Sequence, residues 1–122
     1  VIKKIVAAVA FATAVPVTAQ TVYDWSTLDK TLLVASTAAN IVDWGQTRTI
    51  AYNPDQWREL NPFLGDHPSV GTVNTYFISR LILVPVLAHY FPEYRTIILS
   101  LWLATGVGFS SHNHSIGIRM TW

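Results

Sequence analysis

The chain has 122 residues, enough for one domain; 51% are hydrophobic and 12% charged, about half the charged share of a soluble domain. A net charge of +1 with no basic stripe argues against nucleic acid as a partner, and the absence of cysteine excludes disulfides, thiolate metal sites and cysteine nucleophiles. Positive mean hydropathy, five Trp and five Tyr point instead to a membrane protein.

The N-terminus, "VIKKIVAAVAFATAVPVTAQ", sets Lys3 and Lys4 before an apolar run from Ile5 to Val17, with small residues at Val17 and Ala19. This is the layout of a secretory signal peptide cleaved after Ala19, and the run is short for crossing about 30 Å of hydrocarbon. Residues 1–19 are therefore expected to be a signal peptide or an N-terminal anchor. Residues 20–122 are expected to form a single helical membrane domain.

Three spans are predicted in that domain. The first covers residues 27–51, with Ser26 and Asp29 at capping-box spacing. The second covers 73–91, capped by Ser69 or Thr72 and carrying Pro85, which removes one backbone donor. The third, 95–110, ends in "TGVGFS", where Gly106 and Gly108 permit close helix approach. The polar connection 52–72 is expected to lie at the interface. Within it, Asn53, Pro54 and Gln56 predict a short helix through Leu60, and "NPFLGDHPS" reads as consecutive turns. The tail "IGIRMTW" alternates as a short strand would. Trp25, Trp44, Tyr76 and Tyr90 fall beside span ends, where amphipathic rings favour the headgroup layer. Alternating the spans puts Arg48, Arg58 and Arg119 on the cytoplasmic side, against Lys30 and Arg95 outside.

The polar residues of the first span carry the functional question. At about 100° per residue, Asp29, Ser36, Asn40, Asp43 and Thr47 share one sector, broken by Leu32 and Leu33, while Val34, Ala38, Ile41 and Gly45 lie opposite. A carboxylate in mid-span costs about 2.5–3.5 kcal/mol on insertion scales, so this face is expected to turn away from lipid. Arg80, early in the second span, is placed by antiparallel packing at the depth of Asp43, and an Asp43–Arg80 ion pair is predicted. Gln46 lies about 60° from Asp43 and is expected to bond across helices. As packing groups, such residues contribute about 0.6 kcal/mol per contact. A proton or ion path requires a second titratable group in the span interior, and His89, near the far end of its span, is the one this reading supplies.

Other chemistry is weaker. His112 and His114, two apart, face the same way on a strand, and with His67 they are weak metal candidates that match no zinc motif. No cofactor is indicated. There is no G-x-S-x-G, "GDHPSVG" lacks the P-loop lysine, and Asp55, Glu59 and Asp66 read as solvated loop charges.

"DWGQT" (Asp43 to Thr47), followed by the loop "NPFLGDHPS" (Asn61 to Ser69) and Tyr76–Phe77, resembles a group of small multi-spanning bacterial and phage-encoded membrane proteins with a D-W-x-Q-T helix end and an N-P-x-L-G-x-x-P-S loop. The resemblance spans roughly residues 25 to 110. It implies fold and location, without a biochemical activity. It also singles out Asn61, Pro62, Gly65 and Ser69, with the loop folding back so that Asn61 or Ser69 satisfies Gln46 or Asp43.

These readings converge on an all-α membrane protein: a signal-like N-terminal helix plus three transmembrane or membrane-embedded helices in a bacterial-type inner membrane. Its expected polar cluster is Asn40, Asp43, Gln46, Thr47, Arg80, Asn61 and Ser69. The expected role is structural or accessory and non-enzymatic, with the bilayer and a second copy or another membrane protein as partners. An ion- or small-molecule-handling protein, holin-like or transporter-like, is the alternative. A membrane enzyme using Asp43 or the histidines ranks third.

Overall fold

The computed structural model describes residues 21–122; the expected signal segment, with its cleavage point after Ala19, lies outside the described residues. The described chain is all-α, with three helices: α1 (Thr27–Tyr52), α2 (Val70–Tyr90) and α3 (Arg95–Ser115).

Each helix begins where local chemistry allows. Ser26 Oγ accepts from the Asp29 amide at 3.0 Å and starts α1. The Asp29 carboxylate does not return to Ser26 as a capping box requires; it accepts from Thr96 Oγ1 of α3 at 2.6 Å. Ser69 caps α2 through the Thr72 amide, so the helix starts at Val70, three residues before the predicted span, and runs on through Pro85. α3 continues past Gly106 and Gly108 to Ser115. The Ser110 and Ser115 hydroxyls there bond back to carbonyls within the same helix, a local contact that leaves the backbone ladder intact.

The connection departs from expectation. Asn53, read as the cap of a new helix, instead closes α1: its amide donates to Ile50 O and its side chain to Thr49 O. A single turn at Pro54–Gln56 follows where the helix through Leu60 was expected. Pro62–Leu64 form a second turn, closed by Leu64 N to Asn61 O, and Gly65 takes a φ of 77°, a conformation that glycine adopts without strain. The tail is extended but forms no strand. It lies against the end of α1, with the Thr121 amide on Gly45 O, Arg48 Nε on Thr121 O, and Thr49 bonded to the Arg119 carbonyl. Gly45 makes this possible, since a Cβ there would stand 2.7 Å from the Trp122 ring.

α1 packs most extensively on α3. The pairs Asp29–Thr96, Asn40–Trp102 and Asp43–Asn113 run in the same order along both helices, so α1 and α3 are parallel. Trp44 meets Asn74 and Phe77 near the start of α2, which runs the other way. Apolar side chains form two separate clusters. One holds Leu64, Val73 and Phe77 with Trp44 and Tyr76 against it; the other holds Ala88, Leu99 and Trp102 with Leu32 and Leu33 against it. The leucines that interrupt the polar sector of α1 thus belong to the second cluster.

The stretch between the clusters is polar. Asp29, Ser36, Asn40, Asp43, Gln46 and Thr47 are all buried, whereas Val34 is 70% exposed, Ile82 62% and Leu83 54%. α2 is long and apolar enough to cross a membrane, and most of its residues face outward. At one end of the bundle Arg95, fully buried, donates to the carbonyls of Ala88, Asp24, Val22 and His89 and stacks 4.3 Å from the Trp25 ring. Arg95 thereby ties the segment before α1 to the end of α2.

Gly106 sets the closeness of α1 and α3: a Cβ there would lie 2.6 Å from Asn40 Nδ2 and 3.1 Å from Ala39 Cβ. Nothing lies within 4 Å of a Cβ on Gly108. Gly106→Ala is expected to destabilise the bundle by about 1–3 kcal/mol, and Gly108→Ala to be neutral or slightly stabilising. Thermal melts followed by circular dichroism distinguish the two. Arg95→Lys replaces a planar fork by a point charge and is expected to lower stability by about 2 kcal/mol. Limited proteolysis should then cut near Tyr23 more rapidly.

Candidate functional site: a polar cluster at the end of the first helix

Asp43 lies one turn before Thr47 on α1, and both are buried. Asp43 Oδ1 accepts from Thr47 Oγ1 and from Asn113 Nδ2 of α3, each at 3.4 Å. These are long contacts, weaker than the 2.7–3.2 Å range of good hydrogen bonds. Gln46, also buried, donates through Nε2 to Ser110 O of α3 at 3.3 Å, the cross-helix bond expected of it. Asn40 donates to Ser36 O at 2.8 Å and to Trp102 O at 3.1 Å.

The predicted Asp43–Arg80 ion pair is not formed. Arg80 Nη1 donates to Tyr76 Oη at 2.6 Å and its guanidinium lies over the Tyr76 ring. Tyr76 is one turn away on the same helix, a distance at which side chains meet directly. Asp43, meanwhile, is turned toward α3. Arg80 remains close enough for its charge to act on Asp43.

The loop does fold inward, but through other residues. Asn61 donates to Tyr76 Oη at 3.0 Å and accepts from the Phe63 amide; it touches neither Gln46 nor Asp43. Ser69 is spent on capping α2 and bonds Thr72. The residue that reaches the cluster is Glu59, read from sequence as a solvated charge and in fact 5% exposed. Its Oε1 accepts from the Leu60 and Asn61 amides at 3.0 and 2.8 Å, and its own amide is held by Asp66 O. Its charge acts on Asp43, while the Thr47 hydroxyl is hydrogen-bonded to Asp43. Burial pushes the Glu59 carboxyl above its ordinary value, a shift that its two backbone amides and Thr47 only partly offset. One sequence signal pointed this way: Glu59 stands two residues before the turn-forming Asn61-Pro62, where backbone amides are free to meet a carboxylate.

Two of the aromatics beside the expected span ends make specific contacts within the bundle. Trp44 Nε1 donates to Asn74 Oδ1, and its ring stacks on Phe77 and meets Trp122 edge-on. Trp25 packs on Arg95 and His89. Tyr90 is exposed.

His112 and His114 lie on α3, not on a strand, so their two-residue spacing directs them to different faces. Among the described residues no group of three or more His, Asp or Glu gathers to hold a metal. An open apolar groove of about 440 Å³ runs along α3 past Leu60, Ala104, Gly108 and His112.

Stability should depend on pH through Glu59. A carboxyl whose folded value is raised favours folding below its ordinary value of 4.5 and loses that contribution as pH rises through the folded value. The protein is therefore expected to melt higher in mild acid than at neutral pH. Glu59→Gln keeps the acceptor for Leu60 and Asn61 and supplies a donor toward Thr47. It should raise the neutral-pH melting temperature by about 4 °C, roughly 1 kcal/mol, and flatten the acid side of the profile.

Comparison with protein-family models, with curated proteins and with solved structures finds no match to this chain.

Proposed function

We propose that this chain is a small polytopic membrane protein with a structural or accessory, non-enzymatic role, its three helices crossing the bilayer and its polar stripe turned inward. The observation that carries the reading is the inversion of polarity: Asp29, Ser36, Asn40, Asp43, Gln46 and Thr47 are buried while Val34, Ile78, Ile82, Leu83, Val86 and Leu101 are exposed. In water this arrangement leaves large apolar side chains uncovered along the bundle; in lipid it is the favourable one. Helix length agrees for all three, and among the described helices α2 is the one that is also apolar enough to cross. α1 has 26 residues and α2 and α3 have 21 each, about 39 and 31 Å at 1.5 Å per residue, against about 30 Å of hydrocarbon. The signal-like N-terminus and the gathering of Arg48, Arg58 and Arg119 at one end of the bundle support an inner-membrane location.

A second reading, an ion-handling protein, gains support from one observation: Glu59 supplies the second buried titratable group beside Asp43. The accessory role predicts that a fixed partner or a second copy co-purifies after mild solubilisation. The ion-handling role predicts a fall in membrane potential on induction.

Because the chain contains no cysteine, single introduced cysteines report sidedness without a background. Asp55→Cys and Arg119→Cys are expected to react with an impermeant maleimide from one side of the membrane, and Lys30→Cys and Glu93→Cys from the other. Labelling of all four positions from the same side would contradict the polytopic reading.

A further inference from the structure

One face of α3 has no partner among the described residues. The helix buries Leu99, Trp102, Gly106 and Asn113, while Leu101 is 52% exposed and the groove opens beside Ala104, Thr105, Gly108 and Phe109. Among the described residues nothing lies within 4 Å of a Cβ on Gly108, whereas the space at Gly106 is taken by Asn40 and Ala39. Ala104 and Gly108 stand four apart, so they share one side of the helix and form a shallow strip on which another helix can pack closely.

The chain itself supplies a segment that reaches this strip. The described residues begin at Thr21, which is held at the Arg95 end of the bundle. Its amide donates to Asp24 Oδ2 at 3.0 Å, and Arg95 binds the Asp24 and Val22 carbonyls at 2.8 Å each. The residues before Thr21 carry the apolar run from Ile5 to Val17. Since α3 leads from Arg95 to the opposite end, a helix leading back from Thr21 along it is antiparallel. Equal rise, counted backward from Thr21 and forward from Arg95, sets Ala12 opposite Ala104 and Ala8 opposite Gly108. Small residues four apart thus meet small residues four apart. Lys4 falls opposite His112, beyond the apolar run, at the end of the bundle that carries Arg48, Arg58 and Arg119. Pro16 is no bar to a helix in such a bundle, since α2 runs on through Pro85.

The same run is too short to stand alone in lipid. From Ile5 to Val17 a helix covers about 20 Å, against about 30 Å of hydrocarbon, and association with other helices is one way a short span is accommodated. A second copy of the chain has to find the strip from outside, whereas a covalently attached segment meets it at high effective concentration.

We propose that residues 5–15 are retained and pack as a fourth helix into the α3 groove, antiparallel to α3, with Ala8 on Gly108 and Ala12 on Ala104. This selects the anchor over the cleaved signal peptide for residues 1–19. It rests on the polytopic reading only for the side that each end faces; the docking itself is a contact within one chain.

The test is disulfide trapping in the full-length chain, which has no cysteine of its own. Ala8→Cys and Ala10→Cys are each combined with Gly108→Cys, and Ala12→Cys with Ala104→Cys. Membranes are oxidised with copper phenanthroline, and the remaining thiols are counted with a mass-adding maleimide. A disulfide requires Cβ atoms about 3.5–4.5 Å apart. The Ala8 and Ala12 pairs are therefore expected to lose both thiols within the monomer. The Ala10 pair, on the far side of the helix, is expected to keep both. Failure of both expected pairs, or an equal bond from Ala10, overturns the inference. A disulfide that joins two chains assigns the groove to a second copy and also overturns it. Intact mass of the purified wild type needs no variant to fold: residues 1–19 are expected to be present, and a chain that begins at Gln20 overturns the proposal. Labelling of all four sidedness positions from one side would overturn the polytopic reading and leave a disulfide within the chain unaffected.

Discussion

The close crossing of α1 and α3 is the constraint on which the rest of the structure depends. Gly106 lets the two backbones approach until Asn40 Nδ2 reaches the Trp102 carbonyl, and this brings the whole polar face of α1 against α3. Asp29 then finds Thr96, Gln46 finds Ser110 and Asp43 finds Asn113. A larger residue at Gly106 would hold the helices apart and leave a row of amides and carboxylates without partners. Buried polar groups of this kind are tolerated only as part of a network.

α2 has a different task. It contributes few polar bonds to the interior and presents most of its apolar surface outward, but it closes the bundle through two apolar clusters, one near each end. Each end is also tied by an arginine that makes no ion pair among the described residues. Arg95 holds four backbone carbonyls at one end, and Arg48 links the tail to Asn74 at the other. Carbonyl-bound guanidinium groups suit such positions, because several donors are satisfied at once without bringing a second charge inside.

The polar cluster at the end of α1 arises where these devices meet. Trp44, packed on Phe77 and Trp122, fixes the rotation of the helix so that Asp43 and Thr47 face inward. The turn at Pro62–Leu64, closed by Asn61, folds the connection back and carries Glu59 in with it. Two buried carboxyl groups thus come from α1 and the connection, and the Arg80 guanidinium is engaged by Tyr76. Glu59 Oε2 is left there without a hydrogen-bond partner, as are Asn40 Oδ1, Gln46 Oε1 and Trp102 Nε1 along the α1–α3 contact.

Much of this was legible in the residues alone. The period of Asp29, Ser36, Asn40, Asp43 and Thr47 determined which face of α1 is interior, because side-chain direction on a helix follows directly from spacing. Ser26 before an apolar run determined where α1 begins, because a cap acts within three residues, and Ser69, one of two caps offered for α2, proved to be the one used. Interactions between distant segments were beyond such reasoning. The ion pair of Asp43 with Arg80 rested on equal depth, but depth does not specify rotation about the helix axis, and Tyr76 lay nearer. Glu59 looked solvated because nothing in its neighbours reveals that a loop turns inward, and the third helix was expected to end at 110 although it runs on to Ser115, just before Gly117 with its positive φ. Local chemistry decided the elements and their faces; only the tertiary packing, through a glycine that admits α3 and a turn that buries the loop, decided which charged groups meet.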